Sequence, residues 1–168
     1  PHHAEVVKRF FLRLMERGYL YRDKMILPYC PNCKRFLPDR YVIGTCPYCG
    51  YESARGDQCD NCGRTLDPKD LINPRCAICG ATPEFKESEH VFFALKKREK
   101  IILQWLVDKT YWRDNVINFT RNFVKSGLKD RAITRDIGWG VEVPLKGFEN
   151  KRIYVWFDAV IGYLSASV

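Results

Sequence analysis

At 168 residues and 19.7 kDa, with 46% hydrophobic and 14% aromatic residues, the chain can bury the core of one domain or two small lobes, which excludes disorder as a whole. No run approaches the roughly 18 uncharged apolar residues of a bilayer span, and no basic start followed by an apolar run marks a signal peptide, so no membrane partner is expected. Lys and Arg number 28 against 20 Asp and Glu, a formal charge of +8 that permits a polyanionic partner such as RNA without requiring one.

In chain order, Val6, Val7, Phe10, Phe11, Leu14 and Met15 recur at helical spacing between Lys8, Arg9, Arg13 and Glu16. This predicts an amphipathic helix over residues 5–17 with Gly18 as its stop. His2 and His3 are read as surface residues near its start. Residues 19–27 read as a short extended segment, and residues 28–83 fill with Pro, Gly, Asn, Asp and Cys, too poor in apolar residues to fold without a staple. From about Glu87 an apolar run (Val91, Phe92, Phe93, Leu95) returns. A helix over residues 98–110 carries Ile101, Ile102, Trp105 and Leu106. Asp114 is read as the cap of the next, in which Val116, Ile117, Thr120, Phe123 and Val124 share a face that ends at Gly127. Alternation over residues 138–144 and 153–157 predicts two strands joined across Lys146 to Arg152, followed by a helix capped by Asp158 and starting at Ala159. An apolar strand leading into a helix of about ten residues has the look of a βα unit cut short, which points to a piece of a larger protein.

The eight cysteines form four Cys-x-x-Cys pairs: Cys30/Cys33, Cys46/Cys49, Cys59/Cys62 and Cys76/Cys79. Gly50, Gly63 and Gly80 follow three of them, where a residue of positive φ lets backbone amides face sulfur, and Pro31 and Pro47 pre-set the first two turns. Tetrahedral zinc takes four thiolates at about 2.3 Å. Eight cysteines therefore supply two closed, structural zinc sites with no position left for a catalytic water. Disulfides, iron–sulfur ligation and thioredoxin-like chemistry fit four matched turns less well. A cytoplasmic location follows from the same thiolate chemistry. The intervals between pairs are 12, 9 and 13 residues. Loop-closure entropy grows only logarithmically, so spacing alone leaves sequential and nested pairings equally open.

The run Leu37-Pro38-Asp39-Arg40-Tyr41-Val42-Ile43-Gly44-Thr45-Cys46-Pro47-Tyr48-Cys49, with Gly56-Asp57-Gln58-Cys59-Asp60-Asn61-Cys62-Gly63, resembles the connective-peptide insertion of methionyl-tRNA synthetases. Ala81-Thr82-Pro83 and Ser88-Glu89-His90-Val91-Phe92-Phe93 continue the likeness. Ile133-Thr134-Arg135-Asp136 and Trp139-Gly140-Val141-Glu142-Val143-Pro144 are similar to the segment where the insertion rejoins the Rossmann domain in class I synthetases. Tyr154-Val155-Trp156-Phe157-Asp158-Ala159-Val160-Ile161-Gly162-Tyr163 resembles the methionine enzyme more narrowly.

The resemblance implies an α/β fold in which partial Rossmann-type segments flank a helical, zinc-knuckle insertion with two structural zinc sites. The expected organisation is 1–27 (entry helix and segment), 28–85 (double knuckle), 86–131 (helical part) and 132–168 (return with the methionine-pocket segment). Some members of the family keep only the inner two pairs and still bind one zinc. This implies a nested arrangement, with Cys46, Cys49, Cys59 and Cys62 on one ion and Cys30, Cys33, Cys76 and Cys79 on the other. The parent enzyme would form methionyl-adenylate from methionine and ATP with Mg²⁺, then load the acceptor end of tRNA(Met). The family's His-x-Gly-His and Lys-Met-Ser-Lys-Ser signatures for ATP do not occur in this sequence. They are expected before Pro1 and beyond Val168, so the isolated chain is expected to be inactive.

Carried over by position, Trp156, Ala159 and Tyr163 line the methionine pocket. Asp158 is a pocket residue or a cap, and Arg135 lies by the active site. In the family the zinc lobe covers the active-site cleft and is too small for the hydrolytic editing domain of the isoleucine and valine enzymes. Lys8, Arg9, Arg13, Arg17, Lys96, Lys97, Arg98 and Lys100 are candidates to face the tRNA. Two four-thiolate zinc sites would bring the formal +8 to about +4. The rival readings are a free-standing zinc-ribbon module that grips RNA or DNA and a purely structural docking insertion.

Overall fold

The computed structural model describes residues 2–167; Pro1 and Val168, which bound the outermost predicted segments, lie outside them. Four helices, α1 (His2–Glu16), α2 (Glu99–Val107), α3 (Asp114–Lys125) and α4 (Val155–Ser165), accompany nine strands. These are β1 (Leu20–Cys30), β2 (Arg35–Phe36), β3 (Val42–Thr45), β4 (Ala54–Arg55), β5 (Ile72–Cys76), β6 (Glu84–Phe93), β7 (Arg131–Ala132), β8 (Thr134–Arg135) and β9 (Arg152–Ile153). Three sheets result, ordered β2-β1-β6-β7, β4-β3-β5 and β8-β9. No helix among the described residues is long and apolar enough to cross a membrane.

The chain divides into two compact units. Pro1–Asp23 with His90–Val168 form one, and Lys24–Glu89 the other. In the first, Val6, Val7 and Phe11 of α1 pack with Leu20, Val91, Ile133, Val143, Phe148, Ile153 and Ile161. Phe10, placed on the buried stripe by its spacing, faces outward. Helix α1 stops as its sequence predicts. Gly18 takes φ +68°, its N–H meets the Met15 carbonyl at 3.0 Å, and the Tyr19 N–H meets Leu14 at 2.9 Å. That bond pair satisfies carbonyls which the helix end would otherwise leave open.

The second unit has a different interior. Its buried cluster is Leu37, Val42, Ala54 and Leu71 with Cys30, Cys46, Cys59 and Cys76, so half of the core is sulfur. The backbone is close-packed. A Cβ on Gly56 would lie 2.5 Å from the Asp39 carbonyl oxygen and 2.8 Å from Pro68 Cγ, distances only glycine allows.

Five elements depart from the sequence reading. The extended segment predicted over residues 19–27 runs on to Cys30. Helix α2 ends at Val107, and α3 is preceded by Arg113 in extended conformation, with Asp114 already helical and therefore not the cap. Only Leu106 and Val124 are buried in these two helices, whereas Ile101, Trp105, Val116 and Phe123 are exposed. No strand forms over residues 138–144, where Gly140 takes φ +125° and a lone bridge joins Glu142 to Arg152. The second predicted strand shrinks to Arg152–Ile153, because the chain turns helical at Val155 with Tyr154 as N-cap. The inward residues Ile153, Phe157 and Ile161 recur every four residues, a helical period that the alternation of Ile153, Val155 and Phe157 had concealed.

Tyr21 Oη donates to Asp130 Oδ2 at 2.7 Å and the Lys96 N–H donates to Oδ1 at 2.8 Å. Burial pushes the Asp130 carboxyl up, but these bonds and the Lys96 and Lys97 charges outweigh it and hold it below its usual range. A carboxylate so held stabilises the fold above the unfolded carboxylate range and loses that contribution as pH falls through the folded value. The stability gap between wild type and Asp130→Asn, measured by denaturant unfolding, is expected to be largest near neutrality and to close as pH is lowered towards 3, about the lower edge of that range.

Candidate functional site

The cysteines are brought together by repeated turns. The Cys46, Cys59 and Cys76 N–H groups donate to Tyr51, Arg64 and Ala81 carbonyls at 2.9, 2.9 and 2.8 Å. Gly50, Gly63 and Gly80, at φ of 73, 72 and 75°, return N–H bonds to those same three cysteines. In the first pair Lys34 takes glycine's place at φ 51°, and a non-glycine residue is held there by the pairing of Cys30 with Arg35 across β1 and β2. Cys30, Cys33, Cys76 and Cys79 form one cluster and Cys46, Cys49, Cys59 and Cys62 the other, the ligand sulfurs of each lying within 4.8 Å of one another. The pairs are thus nested in space.

All eight cysteines are free thiols. Sulfurs facing each other across the clusters are 3.4 Å (Cys30–Cys79), 4.0 Å (Cys33–Cys76), 3.9 Å (Cys46–Cys62) and 3.7 Å (Cys49–Cys59) apart. A tetrahedron with zinc–sulfur bonds of about 2.3 Å has edges of about 3.8 Å. Charge makes the same demand. The Tyr51 N–H and Asn61 draw the Cys49 thiol down to about 6, and the Ala81 N–H and Asn32 draw Cys79 down to about 6. Cys33 is pushed up to about 12 by its bond with Cys79, by burial and by Cys30 and Cys76. At Cys62 the Arg64 N–H pulls downward, but burial with Cys59, Cys49 and Cys46 pushes the thiol up to about 11. Within each cluster one thiol is drawn down and another pushed up, and a cation at the centre would favour the ionised form of all four. Four soft donors at tetrahedral spacing fit zinc.

On α4, Trp156 and Tyr163 are 71% and 83% exposed and share one stripe with Ala159 and Val160. The opposite face carries Phe157, Ile161 and Ser165 into the core. Asp158 does not cap the helix; it lies in the first turn, its N–H bonded to the Tyr154 carbonyl at 3.2 Å. Burial raises its carboxyl, with the His3 charge opposing. His2 and His3 are not idle surface residues. His2 Nε2 lies 3.1 Å from the Ser165 carbonyl and His3 Nδ1 2.8 Å from Ser165 Oγ, which ties the start of α1 to the end of α4.

Arg135 is held by its own neighbourhood. Its Nη1 donates to the Ala132 and Thr134 carbonyls at 2.8 Å each, and its guanidinium lies 4.0 Å over the Tyr154 ring. Of the basic candidates, Arg9, Arg13 and Arg17 line a groove of about 620 Å³ with Phe10, Leu14 and Tyr19. Lys8 pairs with Glu142 at 3.2 Å and Arg98 stacks 4.2 Å over Tyr19.

One polar cluster escaped the sequence reading. His90 is fully buried, with Nδ1 2.9 Å from Thr134 Oγ1 and Nε2 3.0 Å from Asp136 Oδ2. Asp136 also pairs with Lys151, and the Val91 N–H donates to Thr134 Oγ1 at 3.1 Å. His90, Thr134 and Asp136 all stand in matched segments, but nothing in their spacing tells that β6 and β8 bring them together.

The family model for tRNA synthetases class I (M) matches residues 1–168. The chain belongs to this synthetase family. It is 58% identical to the methionine--tRNA ligase of Thermoplasma volcanium over 99% of its own length and 31% of that protein. It is 59% identical to that of Dehalococcoides mccartyi (strain ATCC BAA-2266) over 99% of its length and 30% of the relative. It therefore spans about a third of these relatives. The fold is also that of Mycobacterium tuberculosis methionyl-tRNA synthetase bound by methionyl-adenylate, with TM-score 0.60 at 22% identity, covering 98% of this chain and 28% of that one. A synthetase match over every residue does not favour the free-standing zinc-ribbon reading.

Replacing Thr134 by the isosteric Val removes the oxygen shared by the Val91 N–H and His90. It is expected to cost about 1–3 kcal/mol of stability, the usual penalty for buried donors left unpaired, read by denaturant unfolding against wild type.

Proposed function

We propose that this chain is the zinc-stapled insertion and one wall of the amino-acid site of a methionine–tRNA ligase. The whole enzyme activates methionine with ATP and Mg²⁺ to methionyl-adenylate and passes the methionyl group to the acceptor end of tRNA(Met). Family membership, together with relatives bearing that name at 58% and 59% identity, supports the reading. The observation that carries it is that Trp156, Ala159 and Tyr163 share one exposed stripe of α4, open to a ligand.

Methionine's side chain is apolar, flexible and polarizable, and a thioether beside an indole or phenol ring gains a sulfur–aromatic contact that a simple alkyl chain lacks. Ala159, between the two rings, leaves room for it. Asp158 lies in the first turn of the same helix. Arg135 would present a fixed positive charge beside the reacting carboxylate, its carbonyl bonds and its stacking on Tyr154 restricting where the guanidinium can point.

Cys30, Cys33, Cys76 and Cys79 would hold one Zn²⁺ and Cys46, Cys49, Cys59 and Cys62 the other. Bound zinc supplies cross-linking and charge neutralisation, with no coordination position left for a reaction. ATP and Mg²⁺ would be bound outside this chain. The cytoplasm is the compartment that suits both the free thiols and the substrate tRNA. Exposed Arg9, Arg13, Arg17, Lys96, Lys97 and Lys100 are the basic candidates left for RNA, since Lys8 and Arg98 are engaged within the fold.

In the complete enzyme, Trp156→Ala is expected to raise the KM for methionine at least about tenfold, roughly 1.4 kcal/mol of lost binding, with the KM for ATP unchanged in pyrophosphate exchange. An unchanged KM for methionine would remove Trp156 from the pocket.

A further inference from the structure

Within each cysteine cluster one turn has the form Cys-x-Asn-Cys and the other does not. Cys30-Pro31-Asn32-Cys33 faces Cys76-Ala77-Ile78-Cys79, and Cys59-Asp60-Asn61-Cys62 faces Cys46-Pro47-Tyr48-Cys49. In both clusters the asparagine acts on the last cysteine of the opposite turn. Asn61 Nδ2 donates to Cys49 Sγ at 3.6 Å, and Asn32, at the matching position of the other cluster, lowers the Cys79 thiol.

Both asparagines are exposed, so they are not held there by burial. The remaining N–H donors to sulfur, from Cys33, Tyr51, Arg64 and Ala81, come from the backbone of the same turn as the cysteine they serve. The asparagines alone reach across to the facing turn. One bond recurring between turns of otherwise different sequence is explained by what the two clusters share, which is four sulfurs around a common centre.

We propose that Asn32 and Asn61 are metal-positioning residues, each tying its own turn to the opposite sulfur of its cluster and so retaining the metal. The inference rests on reading the clusters as zinc sites. A zinc ion with four thiolates carries a net charge of −2, which N–H donors disperse, and such outer partners commonly set metal affinity by tenfold or more. The bond also fixes the direction of the Cys49 and Cys79 lone pairs, since an amide NH₂ can only donate.

The test uses the complete, zinc-loaded polypeptide and follows zinc transfer to a chromogenic chelator, with total zinc counted by elemental analysis. Wild type is expected to release two zinc equivalents slowly. Asn61→Ala is expected to speed one equivalent about tenfold or more while the other keeps its wild-type rate, and Asn32→Ala to speed the complementary one. Asn61→Asp, of equal size but without the donor and with added negative charge, should release at least as fast as Asn61→Ala. Circular dichroism of the loaded variants should match wild type, because both positions are exposed. Release within twofold of wild type in both alanine variants, or equal acceleration of both ions by one variant, overturns the proposal. A wild-type protein that purifies and reconstitutes without zinc overturns instead the zinc reading on which it rests.

Discussion

Four sulfur atoms held within 4.8 Å of one another, twice over, are the constraint on which the Lys24–Glu89 unit depends. Each pair of thiolates at about 4 Å repels by roughly 4 kcal/mol at the effective dielectric of a protein surface. Neutral thiols avoid that repulsion but attract each other weakly. A dication at the centre would turn the arrangement into a net attraction. The unit has little else to rely on, since beside the cysteines its buried apolar residues are Leu37, Val42, Ala54 and Leu71 with Pro28, Pro68 and Pro83. The sheet β4-β3-β5 is short, and the glycine-tight approach of Gly56 to Asp39 gives close packing without much apolar area.

The other unit is stabilised in an ordinary way and carries the candidate chemistry. The apolar face of α1 packs on the core that also receives Ile161 from α4, and His2 and His3 pin the end of α4 through Ser165. That anchoring leaves the Trp156–Tyr163 stripe on the free side of a fixed helix. Arg135, on β8, is bracketed by the strand's own carbonyls, and the next residue, Asp136, belongs to the buried His90 cluster. Two polar networks therefore restrain these elements, both built from residues of this unit.

What the sequence made legible divides along physical lines. Local stops were readable, because Gly18 at the end of α1 is demanded by backbone sterics alone. The knuckle turns were readable for the same reason, with the exception of Lys34, which occupies a glycine position that only its hairpin explains. The pairing of the four turns was not, since loops of 12, 9 and 13 residues close at nearly equal entropic cost; family resemblance implied the nested grouping, which the fold shows in space. The run from Ile153 was misread as a strand, because five apolar residues satisfy a period of two and a period near four equally well. Trp156, Ala159 and Tyr163 were singled out by resemblance, and only the helix places them on one stripe. His90 was invisible as a cluster, since its partners lie 44 and 46 residues away in sequence.

The account's central claim is that each cluster is a closed four-sulfur zinc site, and X-ray absorption at the zinc edge on the complete polypeptide tests it most directly. Two equivalents of zinc, each with four sulfur neighbours at about 2.3 Å and no nitrogen or oxygen in the ligand shell, is the result predicted. Fewer than four sulfurs per ion, or a light-atom ligand at about 2.0–2.1 Å, would contradict it.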